Sequence, residues 1–384
     1  MVAEIIFIAS VVVLTYTYLG YPALMQVLSR LFGRTVRAAD ITPRVSVIIA
    51  ARNEERDIGM KLENTLALDY PNDRLEIIVA SDCSTDQTDA IVSGFADRGV
   101  MLQRQPVRLG KTAAQNQAVQ LSAGDILVFS DATTKLNASA VKRIVRGFAD
   151  PEVGCVAGQL NYTVPAASGI GLGCRRYWNW EKEIRHCESR LGSLIGVSGC
   201  FYAVRRSCFR NLSGEMIDDF VVASEIHLQG LRTVYDPEAL ATEDTHRHAD
   251  QEFKMRVRII EQSLNALCHY SKLLRRRWDL FRFQLVSHKW LRYVAPCCLV
   301  AAYTSNLVLL NQRPVYVISF VGMTLFYLSA VVAWRLDRIR HPLGLLAIPY
   351  YFVLANCAAA VALLKIARGD SRTVWEPVRN TALQ

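Results

Sequence analysis

The chain has 384 residues, 51% of them hydrophobic, and a formal net charge of +9 at pH 7. That length holds one sizeable domain plus membrane segments, and the apolar residues gather at the N-terminus and beyond Tyr293 rather than spreading evenly. The positive charge lies on no recognisable nucleic-acid module, and the ten cysteines form no CxxC pair or zinc spacing, so neither a nucleic-acid partner nor a disulfide or zinc framework is expected.

From Glu4 to Leu28 no charge follows Glu4, and about 20 apolar residues suffice for a helix to cross a hydrocarbon core. A signal peptide would need a basic n-region and a small-residue cleavage site, and neither is there. Arg30, Arg34 and Arg37 follow directly, which by the positive-inside rule puts the next domain in the cytoplasm.

Val45–Ala50 is a short β-branched run, the pattern of a buried strand. Arg52, Asn53, Glu54 and Glu55 come next, then helical spacing through Ile58, Leu62, Thr65 and Leu66. A second strand, Leu75–Ala80, runs into Ser81–Asp86, and a helix from Thr88 to Ala96 leads to a third strand at Val100–Gln103. The helix Thr112–Leu121 precedes the strand Ile126–Phe129, which ends in Ser130-Asp131-Ala132-Thr133. This alternation predicts an α/β domain with a mostly parallel sheet, whose ligands bind beyond the carboxyl ends of the strands. Three polar clusters fall at that edge. Each alone reads equally well as a helix cap, but all three together point to a site.

Two look-alikes drop out. Gly110-Lys111-Thr112 ends like a P-loop, but Gln105 stands where the first glycine belongs; the Gly169–Gly173 run has the wrong spacing for a dinucleotide fingerprint. After Asp131 the pattern weakens to a helix over Ser139–Phe148 and a strand over Val153–Leu160. The aromatic, charged stretch Arg175–Glu181 has two readings, an interfacial amphipathic helix or an ordinary packed one.

Three more apolar stretches follow, Val294–Leu310, Val315–Trp334 and Leu343–Leu364, with Arg335, Arg338 and Arg340 in a loop read as cytoplasmic. Strict alternation sends the C-terminus outside, whereas Lys365, Arg368, Arg372 and Arg379 argue for the inside; both readings stand. Basic clusters beside apolar segments, Arg275-Arg276-Arg277 among them, suit anionic membrane lipids. The expected layout is a transmembrane helix over 1–29, a soluble domain over 43–275, an interfacial segment over 276–293, three transmembrane helices over 294–365 and a tail over 366–384.

Taken in order, Pro43–Glu55, Ser81–Asp86, Gly110-Lys111, Phe129–Thr133, Gly199–Arg206, Ile217–Phe220 and Phe253–Arg258 resemble the family-two glycosyltransferases of GT-A fold. Ser287–Arg292 resembles the pre-membrane segment of their processive polysaccharide-synthase branch (hyaluronan, chitin and cellulose synthase-like). The resemblance implies inverting transfer of a sugar from a nucleotide-sugar, a UDP-sugar foremost, to a growing polysaccharide or lipid-linked glycan at the cytoplasmic membrane face. Transfer to polyprenyl phosphate, or a catalytically silent glycan-binding scaffold, are the alternatives. It also implies roles. Ala50, Arg52, Glu54, Asp82 and Lys111 would bind the donor, Arg256 and Arg258 would lie toward its diphosphate, and Asp131 would hold Mg2+ or Mn2+ there. Gly199 and Cys200 would meet the acceptor. Asp219, beside Asp218 and between apolar neighbours, would be the general base.

The sequence departs from the family in two places. Thr133 replaces the second Asp of the DxD motif, and no Trp completes the QxxRW-like stretch from Gln251 to Arg258. Arg256 and Arg258 point to different faces of a helix, so one can meet the donor while the other pairs elsewhere. Thr242-Glu243-Asp244 spells the TED motif of cellulose-synthase-like enzymes but lies too close to the basic helix, so Glu243 and Asp244 are read as capping or orienting that helix. His246 and His248 have an HxH spacing without a third ligand.

Overall fold

The computed structural model describes residues 1–163, 169–212, 218–244, 248–269, 279–339 and 341–370. The basic cluster Arg275–Arg277, the Asp218 side chain, His246, Arg340, Arg372 and Arg379 lie outside the described residues.

Four parallel strands, β1 (Val45–Ala51), β2 (Leu75–Ser81), β3 (Val100–Arg104) and β4 (Ile126–Asp131), form half of one sheet. Strands β1, β2 and β4 are apolar along their length because both of their faces are covered. Val47, Ile49, Val79 and Val128 pack on one side of the sheet, while Ile48, Ile78, Leu127 and Phe129 pack on the other. Chain order runs from β1 outward to β2 and β3, then returns to place β4 on the other flank of β1. That reversal leaves a crevice at the carboxyl ends of β1 and β4, where Ala50 and Asp131 are register partners.

After Asp131 four further strands extend the sheet, one of them at the expected Val153–Leu160 and three where the sequence pattern showed none. They are β5 (Lys135–Leu136), β6 (Val153–Thr163), β7 (Phe201–Arg205) and β8 (Arg232–Asp244), in the order β3-β2-β1-β4-β7-β6-β8-β5. Strand β7 runs antiparallel between β4 and β6, and the long β6 and β8 pair in parallel. The β8 pattern is hard to read because Pro237 sits in a bulge: Gly158 pairs with Asp236, but Gln159 pairs with Leu240.

Among the described residues, three helices are long and apolar enough to cross a membrane: Val2–Phe32, Pro314–Arg338 and Gly344–Ala367. The helix Leu291–Leu309 is not among them, since Arg292, Pro296, Ser305 and Asn306 dilute it; it packs along the first helix. The aromatic, charged stretch forms part of a packed helix, Gly169–Leu191, wedged between the sheet and the apolar helices. Its Ile184 and Cys187 cover Tyr21 and Met25 of the first helix, and its Ile170 and Cys174 cover Tyr350 and Tyr351 near the C-terminus.

A buried ionic cluster ties these parts together. His288 sits with Nε2 2.9 Å from Glu181 Oε1 and Nδ1 2.6 Å from Glu188 Oε1. Both ring nitrogens must donate, so the imidazole is cationic. Burial opposes that charge, as does nearby Arg292, but Glu181 and Glu188 outweigh them and raise its pKa. Tyr21 donates to Glu188, and Arg292 donates to Glu181 at 2.8 Å.

One close approach sets the spacing of β6 from its two neighbours, β7 and β8. A Cβ at Gly158 would lie 2.2 Å from the ring of fully buried Phe201 and 3.0 Å from the Ala239 carbonyl. Gly158→Ala should therefore destabilise the protein by about 1–3 kcal/mol through overpacking, read as a lower thermal midpoint in detergent. An unchanged midpoint would refute the contact.

Candidate active site

The first two strand-end loops are built as one unit. Arg52 Nη1 donates to the Asp82 carbonyl at 2.8 Å, the Asn53 amide donates to Ser84 Oγ at 3.1 Å, and the Thr85 amide donates to Asn53 Oδ1 at 2.7 Å. The Glu54 amide donates to Thr88 Oγ1 at 2.7 Å. Asn53 and Cys83 adopt positive φ, 51° and 53°, and Asn tolerates that region better than most residues. The helices that follow, Ile58–Leu66 and Thr88–Ser93, carry no side-chain cap hydrogen bond, so these residues brace the two loops against each other and shape the crevice rather than cap the helices.

Asp82 is buried at the crevice floor. Its Oδ1 accepts from the Leu109 and Gly110 amides at 2.9 and 3.0 Å, a geometry that uses the φ of 95° at Gly110. Among the described residues its Oδ2 accepts no hydrogen bond, although Arg52 Nη1 lies 4.0 Å away. A buried carboxylate oxygen of this kind suits an N–H donor brought by a ligand.

Lys111 opens the next helix and crosses the crevice. Its Nζ lies 2.8 Å from Asp131 Oδ1 and donates to the Gly199 carbonyl at 3.1 Å. Cys200 follows, with Sγ donating to Glu243 Oε2 at 3.2 Å, and Thr133 Oγ1 donates to Glu243 Oε1 at 3.2 Å. Glu243 and Asp244 therefore do not cap the basic helix: they end β8, opposite Tyr162 and Thr163 of β6, and the extended strand carries Glu243 to the DxD-like loop. Burial, then the Asp131 charge, push the Glu243 carboxyl up to about 7.

Lys61 was not singled out in the sequence. It lies on the buried stripe Ile58, Lys61, Leu62 and Thr65, and a cation at such a position is the signal that marks it. Its Nζ donates to Ser130 Oγ at 2.7 Å and to the Thr134 carbonyl at 2.6 Å, bracing the loop that carries Asp131.

The structure thus gathers Ala50, Arg52, Glu54, Asp82, Lys111, Asp131, Gly199 and Cys200 along one edge. Asp219 stands behind the 196–200 turn in the helix Asp218–Leu228, and its carbonyl accepts from the Val197 amide at 2.8 Å. Arg256 is drawn elsewhere: it pairs with Glu252 at 2.9 Å, donates to Tyr351, and lies over the rings of Tyr177 and Tyr351. Arg258 is two residues along the same helix, Ala249–His269, on a different face.

No three His, Cys, Asp or Glu side chains among the described residues form a complete cation site. Asp131 and Glu243 nevertheless offer hard oxygen donors whose mutual repulsion a cation would relieve, and Mg2+ commonly takes one or two carboxylates with substrate phosphates and water.

Residues 46–213 match the model of a family described as Glycosyl transferase family 2. The chain is 28% identical over 269 residues to the probable glycosyltransferase YdaM of Bacillus subtilis, covering 63% of this chain and 61% of that protein. It is 25% identical over 262 residues to the poly-beta-1,6-N-acetyl-D-glucosamine synthase of Staphylococcus aureus, covering 65% and 63%. The chain thus spans less than two thirds of the length of these curated relatives. Among solved structures, the mannosyltransferase PcManGT from Pyrobaculum calidifontis, in complex with GDP-Man and Mn2+, is similar in fold, with a TM-score of 0.70 at 24% identity over 94% of this chain and 99% of that one.

Burial lowers the Lys61 pKa to about 7, against the opposing pull of Asp131, Cys200 and Glu243. The unfolded chain, with a Lys pKa of 10.5, then binds more protons than the folded one between pH 7 and 10.5, so this group makes stability rise with pH across that window. Lys61→Met should flatten the rise in a pH series of thermal midpoints. A rise identical to the wild type would exclude the assignment.

Proposed function

We propose, for a chain whose residues 46–213 match the Glycosyl transferase family 2 model, inverting transfer of a sugar from a nucleotide-sugar, UDP-linked foremost, to a growing polysaccharide or lipid-linked glycan at the cytoplasmic membrane face. The observation that carries this reading is the convergence of Asp82, Lys111 and Asp131 on the crevice where strand order reverses. Asp82 Oδ2 would accept from the base, held in place by Arg52 and the loop at Glu54. Lys111, now paired with Asp131, would swing its charge toward the diphosphate. Gly199 and Cys200, across the crevice, would line the acceptor side. Arg30, Arg34 and Arg37 after the first apolar helix support a cytoplasmic domain, where nucleotide-sugars are available.

Asp131 would hold Mg2+ or Mn2+ with Glu243, which stands in for the Asp missing at Thr133. When bound, the cation neutralises charge on the departing diphosphate. Glu243→Gln and Asp131→Asn should each weaken Mn2+ binding in the presence of UDP by about tenfold or more, measured by electron paramagnetic resonance, and Thr133→Ala should weaken it less. Wild-type Mn2+ affinity in Glu243→Gln would remove Glu243 from the site, and full transfer in excess EDTA would remove the metal.

Asp219 would take the acceptor hydroxyl proton as the sugar shifts from diphosphate to acceptor. General-base catalysis is worth about 10²–10⁴ in rate, so Asp219→Asn should lose that factor while UDP affinity persists. Transfer is assayed with a panel of labelled UDP- and GDP-sugars. If Asp244→Asn abolishes transfer and Asp219→Asn does not, the base is at the end of β8 instead.

A further inference from the structure

We infer that Lys289 is a further residue of the transfer site, a cation that holds the Asp219 carboxylate ionised and aimed; this rests on the base assignment above. Lys289 belongs to the segment just before the helix Leu291–Leu309, 70 positions in sequence from Asp219. That segment, Leu285–Trp290, is a widened π-helical turn, a form that recurs at functional sites because its extra residue re-aims side chains. Here it sends two neighbouring side chains to different partners. His288 is pinned between Glu181 and Glu188, while Lys289 reaches the start of the helix that carries Asp219.

The placement of Lys289 is specific. Its Nζ lies 4.4 Å from the centre of the Phe220 ring, one residue from Asp219. It would also lie 3.3 Å from a Cβ at Gly196, the residue before the Val197 amide that donates to the Asp219 carbonyl. The ammonium therefore lies against the residue next to Asp219 and beside the turn whose Val197 amide holds the Asp219 carbonyl.

The charges facing Lys289 are Asp219, Glu181 and Glu188, which attract it, and Arg185, which repels it. Tyr293 also faces Asp219. Burial pushes the Lys289 pKa down, and Asp219 opposes that most among the charges. By reciprocity the ammonium favours the ionised form of Asp219, which is the form a general base needs. A purely structural lysine seated on Phe220 would make the same ring contact but leave the titration of the base unchanged.

The test is the pH profile of kcat/KM for full-length protein in detergent or nanodiscs. In Lys289→Met the acid limb should move up by about one pH unit, costing about tenfold near neutral pH and recovering in alkali. Lys289→Arg should keep the acid limb and move the basic limb upward, because guanidinium stays charged where a buried ammonium does not. An acid limb that stays in place in Lys289→Met overturns the inference, and where that variant does not fold, an unmoved basic limb in Lys289→Arg does so. Thermal midpoints of the Asp219→Asn and Lys289→Met double-mutant cycle read the pair without catalysis, and additive shifts would also overturn it. Should Asp219→Asn transfer at the wild-type rate while the cycle is non-additive, the base assignment falls but the charge pair stands.

Discussion

His288, held as a cation between Glu181 and Glu188, is the contact on which the arrangement of this protein turns. Glu188 also accepts from Tyr21 of the first apolar helix, and Glu181 from Arg292 at the head of another. Two carboxylates on one helix, Gly169–Leu191, thereby join that helix to two segments remote from it in sequence, one at Tyr21 and one at His288–Arg292. Removing one partner from such a buried network leaves a charge uncompensated, typically at about 3–5 kcal/mol. An apolar core of equal size would hold the segments together as well, but it would not dictate which residue of a π-turn faces which neighbour. The cluster thus links the apolar helices to the orientation of Lys289, and through it to the surroundings of Asp219.

A second constraint comes from the sheet. Long strands β6 and β8 run in parallel until Tyr162 and Thr163 lie beside Glu243 and Asp244. At that depth Glu243 meets Thr133 and Cys200, so a carboxylate missing from one loop is supplied by a strand 110 positions later. Lys111 and Lys61 bring positive charge to the same loop from two helices on opposite faces of the sheet, one partly accessible and one buried beneath it. Acidic and basic groups in a partly buried crevice interact more strongly than at an open surface.

Much of the first half of the sheet was legible in the sequence for a local reason. Strands β1, β2 and β4 are covered on both faces, so they are written as continuous apolar runs, and each ends in a polar loop that sets the binding edge. The second half was not legible to the same degree. Strand β7 is only five residues long, and β8 carries Pro237 in a bulge among acidic residues, so neither shows a clean period. Judging Glu243 by its nearness to the basic helix failed because proximity in sequence says little about where a long strand ends. Arg256, matched by its motif to the donor, turns instead to Glu252 and to two aromatic rings that its own helix gives no sign of.

The sequence by itself determined the α/β order, the three polar loops at the strand ends and the apolar helices that flank the domain, because backbone preference and burial are recorded residue by residue. Tertiary structure alone decided which charges meet: Lys111 with Asp131, Glu243 with Thr133, His288 with two glutamates, and Lys289 with the start of the Asp219 helix. Those pairings span 20 to 110 positions. They depend on strand length, on one bulge and on the pitch of a single widened turn, and no local pattern encodes these quantities.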